Sequence, residues 1–213
     1  MKTVVVLALG RSGTSLLAGV LHKLGVDMGD DGEETSSRNP WGYFENKDFI
    51  EFNRDFCREA CGNWKIKFLG WDKRIQTQEE LLPYFEKYEE RAKKLVEKYQ
   101  KEPIWGWKES RTIMTYPLFF KFCKNIHIIV IHRNLEDHAK SLSRISGIDI
   151  DKAKQIIKNY YRRVDQIKGY PRLDVNFEDF FAKPDETVQK IIDFLKINPT
   201  PEQIKEAREH IKI

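Results

Sequence analysis

The sequence predicts an α/β fold with a mainly parallel central sheet flanked by helices. Three observations carry this expectation. Short runs rich in Val, Ile and Trp alternate along the chain with longer stretches of helical periodicity. The first such run, Thr3 to Leu9, is apolar throughout, the composition of a strand buried on both faces. It ends in Gly10-Arg11-Ser12-Gly13, a small-residue turn that opens straight into a helical pattern. The 213 residues carry no internal repeat and no low-complexity segment, so a single domain over 1–213 is expected.

The elements follow in order. Thr14 to Gly25 reads as a helix, with Leu16, Leu17, Val20, Leu21 and Leu24 on one stripe and Gly25 as its stop. Asp27 to Pro40 is polar and reads as a loop over the glycine turn. Asp48 to Cys61 is a helix with Phe49, Phe52, Phe56 and Ala60 on one side. Asn63 to Asp72 is aromatic and irregular. Thr77-Gln78-Glu79-Glu80 is a capping signature that opens a long helix to about Lys101. Its stripe is Leu81, Phe85, Tyr88, Ala92, Leu95 and Tyr99; core packing is its simplest use, a lid support or a dimer face the alternatives. Pro103 starts a new unit, in which Ile104 to Lys108 reads as a second central strand and Pro117 to Phe122 as a short apolar helix. Ile126 to Ile131 is a third strand, followed by helices over Asn134 to Ser146 and Asp151 to Lys168. Leu173 to Phe177 is a fourth strand, and Pro184 to Leu195 and Pro201 to Ile211 are closing helices.

Composition narrows the function. The net charge of +4 is mild, and lysines and glutamates are interleaved, which argues against a nucleic-acid partner. No apolar run approaches membrane-spanning length, and Lys2 is followed at once by the first strand. A cytoplasmic protein with no membrane partner is the expectation. Cys57, Cys61 and Cys123 are too few and too scattered for a zinc site and read as reduced thiols. His22, His127, His132, His138 and His210 are scattered too, so no metal is expected.

The chemistry lies at the strand ends. A strand, a glycine turn and a helix N-terminus form an anion site, because unpaired N–H groups and the helix dipole both favour negative charge. Arg11 adds a positive charge there, and Ser12, Thr14 and Ser15 add hydroxyls. The turn is not a Walker A loop: only two residues separate Gly10 from Gly13, and no lysine follows. It is not G-x-G-x-x-G either. The third strand ends in Arg133, and ligands of open α/β sheets bind outside the carboxyl ends of strands. Ser141 lies two turns into the next helix, where a bent entry brings its hydroxyl beside Arg133. One guanidinium and one hydroxyl suit a terminal phosphate.

Arg11-Ser12-Gly13-Thr14-Ser15 resembles the 5′-phosphosulfate loop of sulfotransferases. Arg133-Asn134-x-x-Asp137-x-x-x-Ser141 matches the 3′-phosphate motif of that family at each fixed position, about 120 residues further on. Trp107-Lys108-Glu109-Ser110-Arg111 is similar to the Lys-Asp-Pro-Arg segment of many bacterial members, and Val175 to Pro184 resembles their C-terminal strand and loop. The resemblance implies a P-loop-NTPase-like three-layer sandwich using 3′-phosphoadenosine 5′-phosphosulfate as co-substrate. By the same resemblance Arg11, Ser12, Gly13, Thr14, Ser15, Arg133 and Ser141 hold the nucleotide. Two departures stand out. The Arg-Lys-Gly loop of animal cytosolic members is absent, and their histidine base, two residues after the strand lysine, is Ser110 here.

Sulfuryl transfer is expected to follow the logic of phosphoryl transfer, by positioning and charge stabilisation. Arg11 would hold ground-state charge, and Lys108 would stabilise the leaving oxygen; a solvated Lys108–Glu109 pair is the plainer alternative. The base is a carboxylate. Glu45 is favoured, because Tyr43-Phe44 before it and an apolar helix after it partly desolvate the carboxyl. Glu34 stands in Gly32-Glu33-Glu34-Thr35, which resembles the base segment of tyrosylprotein sulfotransferases, and Asp31 has position alone. The acceptor is expected to be a small molecule or a glycan, with Tyr43, Phe44, Trp64 and Trp71 as candidate stacking residues or plain core. A homodimer is compatible with this reading. The alternatives are a P-loop kinase-like phosphotransferase, which lacks here its lysine and its magnesium carboxylate, and a nucleotide-binding module without catalysis.

Overall fold

The apolar run near the N-terminus forms strand β1 (Lys2–Leu7), and the chain lays three more strands in one sheet with it: β2 (Ile104–Lys108), β3 (Ile126–His132) and β4 (Arg172–Asn176). The computed structural model describes residues 1–29, 39, 41–62 and 78–212. The strand order is β2-β1-β3-β4, and every pairing between these strands is parallel, with Val5 opposite both Trp107 and Ile128 and Ile129 opposite Leu173. Parallel neighbours need crossovers, and helices supply them. They are α1 (Thr14–Lys23), α2 (Lys47–Cys61), α3 (Gln78–Tyr99), α4 (Thr112–Phe120), α5 (Leu135–Ser146), α6 (Ile150–Val164), α7 (Asp179–Ala182), α8 (Pro184–Leu195) and α9 (Pro201–Ile211).

Side-chain alternation along the strands divides the core in two. Val5, Leu7, Trp105, Trp107, Ile128 and Val130 face α2 to α6, whereas Val4, Val6, Ile129, Ile131, Leu173 and Val175 face α1 and α7 to α9. The result is three layers, helix–sheet–helix, as the sequence predicts. On the first face, Phe49 stacks on Trp107 with ring centroids 4.3 Å apart, and Leu81, Phe85, Tyr88 and Ala92 of α3 are buried. The stripe of α3 is therefore core.

Several expectations change in detail. The strand over Ile104–Lys108 has the expected bounds but lies at one end of the described sheet, not inside it. Helix α4 begins at Thr112, ahead of Pro117, because Glu109 turns the chain early: its carbonyl accepts from Thr112 N at 3.1 Å and its carboxylate from Arg111 N at 2.9 Å. The hydrogen bond that Pro117 cannot make is offset by burial of Ile113, Met114, Leu118 and Phe119. Helix α6 starts at Ile150 on an Asp149 cap and stops at Val164. The expectations for most of the loop over Asp27–Pro40, for Asn63–Asp72 and for Thr77 lie outside the described residues.

Candidate active site

The carboxyl ends of β1, β2, β3 and β4 share one edge of the parallel sheet, and the site is built there. Beyond β1 the turn is tight: Arg11 has φ 76° and Gly13 has φ 97°. Both values lie in the left-handed region, which glycine enters without the steric cost a Cβ brings. A Cβ on Gly13 would stand 2.2 Å from the Phe177 ring. Glycine at this position thus lets the residue after β4 close on the turn. Helix α1 starts immediately after, with Gly13 as N-cap, no side-chain cap and no acidic residue in the first turn. Its first N–H groups have no intrahelical acceptors and face the cleft as donors.

The segment after β3 meets this turn through three contacts. Arg133 Nη1 donates to the Arg11 carbonyl at 3.1 Å, Arg11 Nε donates to Ser141 Oγ at 3.3 Å, and His138 Nε2 lies 3.0 Å from the Gly10 carbonyl. Asn134 caps α5, accepting from Glu136 N at 3.0 Å and Asp137 N at 3.3 Å. That cap fixes the direction in which α5 leaves the strand and sets Ser141 over the turn. Ser141 thus serves Arg11, whereas the sequence placed it beside Arg133. The Arg133 guanidinium lies over the Phe177 ring, 4.7 Å from its centroid, and its Nε is buried with no partner among the described residues. Burial, and the guanidinium groups of Arg144 and Arg133 facing it, lower the Arg11 pKa from the usual arginine value. His138 is fully buried, and burial pushes its pKa down to about 4, so the imidazole is neutral and its Nε2–H is the donor to Gly10.

At the end of β2, Lys108 reaches across to Glu45. Its Nζ is 2.7 Å from Glu45 Oε1 and 3.5 Å from Ser15 Oγ, with the lysine side chain 5% and the glutamate 36% exposed. The plainer Lys108–Glu109 pair does not form. Glu109 turns inward to Arg111 Nε at 2.7 Å and Asn53 Nδ2 at 2.7 Å, and burial outweighs the arginine and holds its carboxyl above the usual range. This buried knot anchors the chain just past Lys108. Glu45 is aimed by its neighbour: Phe44, at φ 46°, buries its ring between His22 and His210, with centroids 5.4 and 5.6 Å away. Phe44 is therefore core and not a stacking residue for an acceptor, while Tyr43 is exposed. Asp31, Glu34, Trp64 and Trp71 lie outside the described residues.

Over the turn opens a cleft lined by Arg11, Gly13, the first turn of α1, Asn39, Trp41, Arg133 and Phe177. Asn39 donates to Ser15 Oγ at 3.1 Å and to the Gly42 carbonyl at 2.7 Å, which ties the segment before α2 to the helix N-terminus. Trp41 stands edge-on to Phe177 at 6.4 Å. Sequence reasoning did not single out Asn39, Trp41 or Phe177 as site residues. Phe177 had a signal, being the first residue past a strand's carboxyl end; Asn39 lies in the polar stretch read as a loop over the turn, and Trp41 opens the aromatic stretch that runs to Trp71. Among the described residues, no group of His, Cys, Asp or Glu is arranged to hold a metal ion.

A parallel α/β sheet whose strand ends present a glycine turn, a helix N-terminus and two arginines offers donors of the kind that suit a phosphate-like anion. The sulfotransferase family model matches residues 3–202, and the chain belongs to that family. A comparison with curated protein sequences returns no match. Among solved structures, the chain is similar to the sulfotransferase domain of the curacin biosynthetic pathway, at 15% identity and a TM-score of 0.53, covering 96% of this chain and 77% of that one. It is likewise similar to the sulfotransferase domain of the Synechococcus PCC 7002 olefin synthase, at 14% identity and a TM-score of 0.56, covering 97% and 77%. These likenesses carry the P-loop-like sandwich fold.

Proposed function

We propose that the protein transfers a sulfuryl group from 3′-phosphoadenosine 5′-phosphosulfate to a hydroxyl or amine of a small-molecule or glycan acceptor. The observation that carries this reading is the joining of two distant motifs in one cleft, where Arg11 bonds Ser141 and Arg133 bonds the Arg11 carbonyl. The cleft suits the nucleotide. Cationic groups crowd it, Arg133 Nε is a buried donor with no partner among the described residues, and Trp41 offers an aromatic ring to a purine. Arg133 and Ser141 bind the 3′-phosphate, and Arg11 with the Gly13, Thr14 and Ser15 amides binds the 5′ end, Ser12 shaping the turn. The nucleotide supplies the sulfuryl group and leaves as adenosine 3′,5′-bisphosphate.

Glu45 takes the proton from the acceptor, and Lys108 stabilises charge on the oxygen that departs from sulfur. Ser15 and Glu45 hold the ammonium in place beforehand. Glu34 is the second candidate base. The reaction needs no metal in this scheme. No described helix is long and apolar enough to cross a membrane, which fits an acceptor met in solution.

Calorimetry with adenosine 3′,5′-bisphosphate, 5′-AMP and ATP, with and without magnesium, tests the nucleotide. The expected order is bisphosphate tightest, with no magnesium requirement, and Arg133→Ala is expected to weaken the bisphosphate by about 10- to 100-fold while leaving 5′-AMP nearly unchanged. Equal losses for both ligands would remove the 3′ assignment, and a preference for magnesium–ATP would favour a kinase.

A further inference from the structure

We propose that Asn53 is a positioning residue that ties the helix behind Glu45 to the strand of Lys108 and so sets how the two meet; this rests on the roles given to Lys108 and Glu45 above. Asn53 lies on α2 and is fully buried. Its Nδ2 donates to Glu109 Oε2 at 2.7 Å and to Thr112 Oγ1 at 3.2 Å, and its Oδ1 accepts from Thr115 Oγ1. Both amide hydrogens are thus used, and the carbonyl with them. One end of this link is the residue directly after Lys108. The other end is the helix whose cap, Asn46, directly follows Glu45. Asn46 accepts from Asp48 N at 3.1 Å, and Asn53 stands two turns further on. The Lys108–Glu45 contact of 2.7 Å closes the ring.

A polar knot at this place departs from its surroundings. Phe49, Phe52, Phe56 and Cys57 of the same helix are fully buried, and Phe49 stacks on Trp107. Apolar packing alone would hold α2 to β2, and a buried polar network adds little stability over it. What the network adds is direction. Stacked rings tolerate a slide along the sheet, whereas an amide that meets three partners fixes one placement. The knot also occupies Glu109. Its Oε1 takes Arg111 Nε at 2.7 Å, and its Oε2 takes Arg111 N at 2.9 Å together with Asn53. Glu109 is the acid next to Lys108 in the chain, yet the ammonium belongs to Glu45. Without Asn53, Glu109 Oε2 loses its side-chain donor, and the nearest cation in sequence is the Lys108 ammonium. Asn53 therefore keeps Glu109 away from Lys108 while it keeps α2, and with it Glu45, close.

The test compares Asn53→Leu, Thr115→Val and Lys108→Ala with wild type. Crystal structures read the Lys108–Glu45 distance, and calorimetry reads the affinity for adenosine 3′,5′-bisphosphate. Release of the bisphosphate from 3′-phosphoadenosine 5′-phosphosulfate, with 4-nitrophenol as acceptor, reads turnover. In Asn53→Leu the Lys108 ammonium and the Glu45 carboxylate are expected to part beyond about 3.5 Å, and turnover to fall about 10- to 100-fold with bisphosphate affinity within about twofold. Thr115→Val removes a donor to Asn53 but leaves the Glu109 contact, so it is expected to lower the thermal midpoint and keep turnover within about twofold. If Asn53→Leu does not fold, Asn53→Ser takes its place with the same expectations. An Asn53 variant that keeps the Lys108–Glu45 contact overturns the proposal. So does a Thr115→Val enzyme that loses as much turnover as the Asn53 variant, since the knot is then a stability device alone. The crystal structure needs no acceptor and decides by itself where 4-nitrophenol reacts too slowly to follow. Unchanged turnover in Lys108→Ala overturns instead the role of Lys108, and this proposal falls with it.

Discussion

Lys108 and Glu45 are held together before any substrate arrives, and their pairing shapes what each substitution should do. A buried ammonium beside a half-buried carboxylate is worth little as a stability device, because desolvation consumes most of the attraction. In the proposed mechanism its value lies in placing an acid and a base beside the helix N-terminus. Lys108→Ala is expected to lower kcat by about 100- to 1,000-fold, since its partner charge develops only in the transition state, with bisphosphate affinity nearly kept. A variant with unchanged kcat would end that role. Arg11→Ala should instead impair binding and rate together, because Arg11 meets charge already present in the ground state. For the base, Glu45→Gln and Glu34→Gln form a pair. A loss of about 100-fold in turnover is expected in the first and little change in the second, with bisphosphate binding intact in both. If Glu34→Gln is the inactive enzyme and Glu45→Gln remains active, the proton goes to Glu34.

The elements matter through the turn that joins β1 to α1. Two residues in the left-handed region stand in this turn, and the Phe177 ring from beyond β4 is packed on it. Gly13→Ala is strained twice, by its φ of 97° and by the ring 2.2 Å from the new methyl. The expected cost is about 1–3 kcal/mol of unfolding free energy. Nucleotide binding should fall as well, because moving Phe177 also moves the surface under Arg133. Urea denaturation and calorimetry read the two effects separately. An alanine variant as stable as wild type would show that the ring yields freely.

On the scale of the whole molecule, His138 ties one crossover helix to the end of β1 from inside the protein. Burial depresses its pKa from 6.5 to about 4. The unfolded chain therefore takes up a proton as pH falls through 6.5, while the folded protein resists until about 4. His138 thus contributes stability that is full above pH 6.5 and lost as pH falls toward 4, by up to about 3 kcal/mol. Urea denaturation across this window should show the decline, and His138→Gln, which keeps a donor for Gly10 but cannot titrate, should flatten it. An equally steep decline in that variant would assign the acid sensitivity elsewhere.

The sequence by itself determined the alternation of strands and helices, the bounds of Ile104–Lys108, Pro184–Leu195 and Pro201–Ile211, and the placing of Arg11–Ser15 and Arg133 just past strand ends. These are local properties. Periodicity, caps and glycine turns act over a few residues and are written where they act. Which groups meet across the sheet was decided only by the tertiary structure. It set β2 at one end of the described sheet, turned Lys108 to Glu45 and not to its neighbour Glu109, and gave the Ser141 hydroxyl to Arg11. It also sank Phe44 into the core while bringing Trp41 and Phe177 to the cleft. Each of these pairings joins residues that strand order and helix direction bring together, and a spacing within one element carries no record of the partner it will meet on another.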